Sequence, residues 1–228
     1  MPLSPASPRL SPTQQHYANL CRGTAWKHGR EGIVIALGPR GTGKTTIACQ
    51  AAIDMLRRDL VERIVLARPG ARVARSSAVA HSAPLFGVSA TVLADHVQAG
   101  RIELLHAADV HAMQGRTMDN TYLVADDVHR TTPYLTFGLL MCAGQACRIV
   151  VTGSAGAGSG EAHRHPASHQ AHHPDGLSDL VARIEGAFET SDEMLADIVR
   201  LSECDIIRSG LAKRVNWLYT GGGPRPLK

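Results

Sequence analysis

The chain has 228 residues, 44% of them hydrophobic, which excludes a disordered protein and suits one large domain or a domain with extensions. Its formal charge of +4 is compatible with a nucleic-acid partner without requiring one, and no apolar run approaches the roughly 20 residues of a membrane span. The 5 cysteines include no C-x-x-C pair, which favours a reduced, cytoplasmic protein over a disulfide scaffold.

The first 67 residues of the chain predict two helices and two strands. Residues 1–12 are rich in proline and predict a disordered tail, and a helix is expected over residues 13–22. Residues 33–37 are apolar, β-branched and bounded by glycines, which predicts a buried strand. Residues 44–58 have apolar side chains at helical spacing, and residues 63–67 predict a second strand.

The middle of the chain begins with residues 71–84, which are rich in Ala, Arg and Ser and predict a loop. A helix is expected between Ser89, a candidate N-cap, and Gly100. Residues 101–105 and 121–125 predict the third and fourth strands.

A helix from Pro133 to about Ala146 comes next, with proline in the first turn, where its missing N–H costs little. Residues 148–153 predict a fifth strand, and residues 155–176 a mobile Gly/His-rich loop. Two or three further helices are expected, at about 177–186, 191–200 and 209–218, and residues 221–228 predict a tail.

Strands that alternate with helices and are apolar on both faces predict an α/β fold. We expect a parallel sheet of about five strands with helices on both faces, within a single domain over residues 13–220.

A glycine-rich loop joins the first strand to the second helix. GPRGTGKT, Gly38 to Thr45, matches the phosphate-loop pattern G-x-x-x-x-G-K-[ST], and its place between strand and helix favours function over a chance match in a turn. Lys44 would reach the β- and γ-phosphates of a nucleotide, and the Thr45 hydroxyl would ligate Mg²⁺. The residues expected to bind the nucleotide here are Gly38, Pro39, Arg40, Gly41, Thr42, Gly43, Lys44, Thr45 and Thr46.

Two adjacent acids, Asp126 and Asp127, follow the fourth strand. The carboxyl ends of strands are where ligands bind in open α/β sheets, so we expect Asp126 to hold the metal and Asp127 to activate water. The alternative is a solvated acidic turn. Nucleotide hydrolases of this type usually have Glu at the second position, and Asp is one methylene shorter.

Several segments, in order, resemble the PhoH family of nucleotide hydrolases. LGPRGTGKTTIA is similar to the family's phosphate loop, with Arg40 in place of alanine. RIVLARP resembles the next strand and its Arg-Pro corner at Arg68. Gly115-Arg116-Thr117 runs into the acid motif as in the family, and DIIRSGLAKRVNWLY resembles its C-terminal segment and includes Arg208. The resemblance covers most of residues 13–219.

The resemblance implies a RecA-like P-loop ATPase that uses ATP and Mg²⁺. The family is linked with phosphate starvation and with single-stranded RNA, through helicase or RNA-processing activity, and a homo-oligomeric ring is implied. Gln14 and Tyr17 have the spacing of an adenine-binding element. Arg208 would be an arginine finger or, alternatively, an ion-pair partner of a nearby acid. Arg68 and Arg116 would contact RNA or phosphate, although Arg116 also suits a surface arginine.

The sequence departs from the family where hydrolysis is concerned. Asp127 replaces Glu, His129 replaces Gln, and Ser154 stands where the family has Asp. Ser209 and Gly210 replace the family's His-Pro. We therefore expect ATP to bind and turnover to be slow or to need a partner.

Five histidines within residues 163–173 leave two alternatives, a metal site or a disordered loop, and the absence of nearby cysteine favours the loop. Three functions compete for the chain as a whole. They are an ATPase coupled to RNA, a nucleotide-binding regulatory or assembly protein with little turnover, and, with least support, a small-molecule kinase.

Overall fold

We describe the fold from a computed structural model of the chain. The described residues are 10–23, 32–68, 75–106, 109, 113, 115–154, 174–188 and 196–207. Several predictions lie outside them: most of the two tails, the helix at 209–218, Arg208 and the histidines of residues 163–173.

Among the described residues, six strands form one sheet, one more than the roughly five expected. They are β1 Gly32–Leu37, β2 Arg63–Arg68, β3 Ile102–His106, β4 Thr121–Ala125, β5 Arg148–Gly153 and β6 Ala196–Arg200. Their order is β3-β2-β4-β5-β1-β6, and every neighbouring pair is parallel. The predicted parallel sheet is confirmed.

In the part of the chain that the structure describes, six helices cover the sheet. They are α1 Pro12–Cys21, α2 Lys44–Arg57, α3 Arg75–Phe86, α4 Ala90–Gln98, α5 Pro133–Leu140 and α6 Gly176–Phe188. Two short 3-10 turns follow β4 and β6, at Val128–Arg130 and Glu203–Asp205. α5 ends six residues earlier than predicted, since the chain after it turns back and Ala143 bridges to Met118.

The strands are apolar on both faces because two hydrophobic cores cover them. In β1, Val34 and Ala36 pack into the core with α1 to α4, whereas Ile35 and Leu37 pack into the core with α5 and α6. Successive side chains of a strand point to opposite faces, so one apolar run serves both layers. Helices on both faces of the sheet are thereby confirmed.

The predicted helix at 191–200 is wrong over the residues that the structure describes. Residues 196–200 form β6, which pairs in parallel with β1 from Ile33↔Ala196 to Leu37↔Arg200. The stretch ADIVR has two β-branched side chains, and an open sheet edge beside β1 outweighs the helical pattern of its neighbours.

The predicted loop at 71–84 is also wrong in its described part. Residues 75–86 form α3, and the buried side chains of Ala78, Ser82, Ala83 and Phe86 lie on its inner side. Alanine is a strong helix former, and packing against α2 supplies the partner that the local sequence does not reveal. Within the described part of the chain no single helix is long and apolar enough to cross a membrane, and the one adjacent pair of sufficient combined length is bent by 109°.

The parallel arrangement brings the carboxyl ends of all strands to one edge of the sheet. β1 leads there into the glycine-rich loop, β2 ends in Arg68, and β4 leads into Asp126. β6 continues into Leu201, whose N–H donates to the carbonyl of Leu37 at 2.7 Å. This edge is where the candidate functional residues meet.

Candidate functional site

The glycine-rich loop, residues 38–43, depends on glycine for both its backbone shape and its packing. Gly38 has φ 150°, and a Cβ at this position would lie 2.5 Å from the carbonyl oxygen of Leu201. Gly41 and Gly43 also have positive φ, 90° and 79°. The loop therefore lies against the segment that follows β6, in a conformation that a larger residue would disturb.

Lys44 begins α2 and is buried, with its ammonium group turned back onto the loop. The Nζ atom donates to the carbonyls of Gly38 at 2.8 Å and Pro39 at 2.7 Å, and lies 3.3 Å from the hydroxyl of Thr42. Burial lowers the pKa of Lys44 to about 8, and the nearby carboxylates of Asp127 and Asp126 oppose this shift. The lysine is thus a poorly hydrated cation that an anion in the loop can attract.

Asp126 is 3% exposed and has hydrogen-bond and ion-pair partners on α2, β5 and β2. Its Oδ1 accepts hydrogen bonds from the hydroxyls of Thr45 at 2.6 Å and Thr152 at 2.7 Å. Its Oδ2 lies 3.2 Å from Nε of Arg68. The backbone N–H of Asp126 donates to the carbonyl of Ala67 at 2.8 Å, which places β2 and β4 side by side at this point.

The chemistry of these donors fits a magnesium ion that is shared with phosphate. Mg²⁺ in phosphate sites is held by one or two protein oxygens, with water and phosphate oxygens completing its shell. Thr45 and Asp126 offer a hydroxyl and a carboxylate at hydrogen-bond distance from each other. Among the described residues, no group of three or more His, Cys, Asp or Glu is placed to hold a metal ion. A metal cage made by the protein alone is therefore not found in that part of the chain.

Asp127 begins the 3-10 turn after β4 in a left-handed conformation, φ 57°. Its side chain is partly exposed, and Oδ1 lies 3.9 Å from Nδ1 of His129. The same Nδ1 accepts a hydrogen bond from the N–H of Ser154 at 3.2 Å. Because burial lowers the pKa of His129, the ring accepts this bond in its neutral form. This hydrogen bond connects the acid turn, residues 126–130, to the residue that follows β5.

The phosphate loop and the acid pair line a cavity of about 890 Å³, within the range of small-molecule sites. The loop contributes Arg40, Gly41, Gly43, Lys44, Thr45 and Thr46. Polar side chains from other elements are Gln50, Arg68, Asp126, Asp127, Arg130 and Ser154. Apolar side chains are Leu10, Ile47, Leu85 and Ile207. Arg130, Leu10 and Ile207 had no sequence signal, because only the folded chain brings them to the loop.

Gln14 and Tyr17 are placed behind the loop and do not belong to the cavity lining. Gln14 is 2% exposed, and its amide N–H₂ donates to the carbonyls of Thr42 at 3.0 Å and Asp205 at 2.7 Å. The hydroxyl of Tyr17, which is fully buried, donates to the carbonyl of Lys44 at 3.2 Å. Both side chains support the loop from within, and their contact with adenine stays a prediction.

The two other arginines that the sequence singled out have different surroundings. Arg68 lies in the cavity beside Asp126. Arg116 instead makes a bidentate pair with Glu103, both N–O distances being 2.9 Å, and does not line the cavity. This pair raises the pKa of Arg116. A phosphate contact by Arg116 in this cavity is therefore not supported, whereas its contact with RNA stays a prediction.

Comparison with known proteins gives one family. A sequence model described as PhoH-like protein matches residues 8–82 and 86–220. A PhoH-like protein of Bacillus subtilis is 25% identical over an alignment of 210 positions, and the match covers 83% of this chain and 59% of that protein. One from Synechocystis is 26% identical over an alignment of 136 positions, and the match covers 53% of this chain and 40% of that protein. The chain thus spans only about half the length of these relatives.

Among solved structures, the fold is similar to the large terminase of a thermophilic bacteriophage. The TM-score is 0.55 at 11% identity, over 94% of this chain and 52% of the terminase. The same terminase in complex with ADP gives 0.53 at 12% identity, over 94% and 51% of the two chains. At this identity the likeness concerns the fold alone.

Proposed function

The chain belongs to the PhoH-like protein family, and from this premise we propose that it binds ATP with Mg²⁺ in the cavity and slowly hydrolyses it to ADP and phosphate. The observation that carries the proposal is the hydrogen bond of 2.6 Å between Thr45 and Asp126. It brings together the hydroxyl of the phosphate loop and the acid of β4, the pair that a P-loop hydrolase needs for its metal.

Binding begins with the loop and with Lys44. The Lys44 ammonium donates to two loop carbonyls, and the triphosphate oxygens of ATP would take over these hydrogen bonds. The positive N-terminal end of α2 favours the same anion. Thr45 and Asp126 would hold Mg²⁺, which when bound supplies positive charge close to the phosphate oxygens. Arg68 would then leave Asp126 and turn toward phosphate.

Hydrolysis would depend on Asp127 as the residue that orients the attacking water. It follows Asp126 directly, lies in the cavity lining and is exposed enough to contact water. A carboxylate one methylene shorter than Glu stands farther from the water, and a misplacement of about 1 Å can cost on the order of 100-fold in rate. Slow turnover without a partner is the expected consequence.

Coupling of this ATPase to single-stranded RNA, as a helicase or RNA-processing factor, is supported by membership of the family and belongs to the same proposal. A homo-oligomeric ring, in which Arg208 serves as an arginine finger, extends it, although Arg208 lies outside the described residues. The test is ATP turnover with and without single-stranded RNA. We expect slow turnover that RNA stimulates and that Lys44→Ala abolishes, whereas turnover unchanged in Lys44→Ala would refute the proposed site.

A second candidate is a nucleotide-binding regulatory or assembly protein with little turnover. Asp127, which is shorter than the usual Glu, favours this candidate. Ser154 also favours it because it stands where the family has Asp, and its backbone N–H donates to His129. The two candidates differ in one measurement: the regulatory protein would bind ATP tightly and release no phosphate, with or without RNA.

A further inference from the structure

Two large apolar side chains form part of the cavity near the phosphate loop. Leu10 is 37% exposed and Ile207 is 41% exposed. They come from opposite ends of the described chain, one before α1 and one after β6. The other side chains that line the cavity are mostly polar, and large apolar groups left exposed among them indicate a ligand surface.

Ile207 is held directly over the loop. Its N–H donates to the carbonyl of Gly41 at 3.0 Å. A Cβ on Gly43 would lie 3.0 Å from Cδ1 of Ile207, so the side chain packs against the loop where α2 begins. Its position is thus tied to the segment that surrounds the phosphates.

Leu10 is held through the residues that follow it. The hydroxyl of Ser11 donates to the carboxylate of Asp205 at 2.5 Å, and the Gln14 amide donates to the carbonyl of Asp205 at 2.7 Å. The chain before α1 and the chain after β6 are therefore fastened to each other. Leu10 and Ile207 face the same cavity from these two joined segments.

The polar groups that the family resemblance assigns to adenine are already engaged. Both amide hydrogens of Gln14 serve carbonyls of the protein, and its Oε1 accepts the N–H of Ser11 at 2.8 Å. Tyr17 is fully buried. Within the described cavity lining, Gln50 is the one side chain that carries an amide. Strong selection of a base requires such directional hydrogen bonds, whereas apolar surface discriminates weakly.

We infer that Leu10 and Ile207 form the nucleobase subsite and hold the base by apolar contact with its face. Every base has such a face, so the protein would accept nucleoside triphosphates of all four bases with similar affinity. The inference rests on the proposed function, because the phosphate loop must anchor the triphosphate for the base to reach these residues.

The test compares nucleotides with an anchor that has no base. The dissociation constants of ATP, GTP, CTP, UTP and inorganic tripolyphosphate, each with Mg²⁺, are measured on the wild type and on Leu10→Ala and Ile207→Ala. Leu60→Ala is the matched control, because Leu60 is equally exposed at 37% and does not line the cavity. A thermal melt of each variant verifies folding.

We expect the four nucleotides to bind within about tenfold of one another, as apolar recognition allows. Leu10→Ala and Ile207→Ala should weaken all four by roughly five- to tenfold, the loss expected for part of a buried aliphatic side chain, and leave tripolyphosphate unchanged. Leu60→Ala should change neither the affinity for the nucleotides nor the affinity for tripolyphosphate.

Three results would overturn the inference. The first is binding of ATP at least 100-fold tighter than binding of the other nucleotides. Loss of this preference in Gln50→Ala would then assign recognition of adenine to the Gln50 amide. The second is equal loss of tripolyphosphate and nucleotides in Ile207→Ala, which would place the residue in the loop's support. The third is that neither tripolyphosphate nor any nucleotide binds, which refutes the proposed function as well. If tripolyphosphate binds and the protein strongly prefers one nucleotide, only the inference is refuted.

Discussion

Substitution of Gln14 by alanine separates support of the loop from recognition of adenine. The side chain is 2% exposed, and its amide donates to the carbonyls of Thr42 and Asp205. Gln14→Ala leaves both carbonyls without this donor, and an orphaned buried polar group costs about 1–3 kcal/mol. Because two carbonyls lose their donor, we expect a total loss of about 2–6 kcal/mol in the free energy of unfolding.

The assay is urea unfolding followed by circular dichroism, with Gln15→Ala as the matched control. Gln15 lies on the same helix, but its amide bonds to Asn19 on the exposed surface at 3.1 Å, so its removal should cost well under about 1 kcal/mol. Gln14→Ala should also weaken ATP and tripolyphosphate by the same factor, since it acts through the loop.

The reasoning fails if Gln14→Ala unfolds at the same urea concentration as the wild type and shifts only the preference between ATP and GTP. That result would make Gln14 a reader of adenine, as the family resemblance implies. Destabilisation together with equal loss of ATP and tripolyphosphate supports the buried, loop-supporting role.

The remaining predictions concern the acid turn and Lys44. Asp127→Glu should raise ATP turnover by on the order of 100-fold, as judged by phosphate release, and an unchanged rate would mean that the shorter acid does not limit the chemistry. Burial lowers the pKa of Lys44 to about 8, so the free protein loses this cation above pH 8. The affinity for tripolyphosphate, measured calorimetrically, should therefore fall about tenfold per pH unit above pH 8. A constant affinity from pH 7 to 9 would contradict this prediction. Burial also lowers the pKa of His129, so the unfolded chain takes up a proton first as the pH falls. The stability associated with neutral His129 should be complete above about pH 6.5 and decrease below it. Urea midpoints at pH 7.5 and 5.5 should therefore differ more in the wild type than in His129→Gln, and equal differences would exclude this role for the ring.

Much of the sheet could be predicted from the sequence because buried parallel strands are short, apolar and bounded by turn residues. The strand at 121–125 and the strand at 148–153 have the bounds that their residues predict. β6 could not be predicted in this way, because its strand conformation depends on pairing with β1, which lies far away along the chain. Local pattern contains no information about such a partner.

In the candidate site, too, the contiguous motifs could be predicted from the sequence, whereas the contacts between distant segments could not. The loop and the acid pair are contiguous in sequence and follow strands, so their position at the sheet edge could be predicted. The bonds of Thr152 and Arg68 to Asp126 come from two further strands and appear only when the order of the sheet is known. The spacing of Gln14 and Tyr17 predicted a contact with adenine, but the Gln14 side chain is buried behind the loop. The spacing of a motif does not determine the direction in which a side chain points.

Binding of ATP with Mg²⁺ to the wild type and to Lys44→Ala, measured by titration calorimetry, tests the account most directly. We predict one site per chain in the wild type, dependent on Mg²⁺, and loss of binding in a folded Lys44→Ala protein. Absence of binding by the wild type, or equal affinity in the two proteins, would contradict the assignment of this cavity as a nucleotide site.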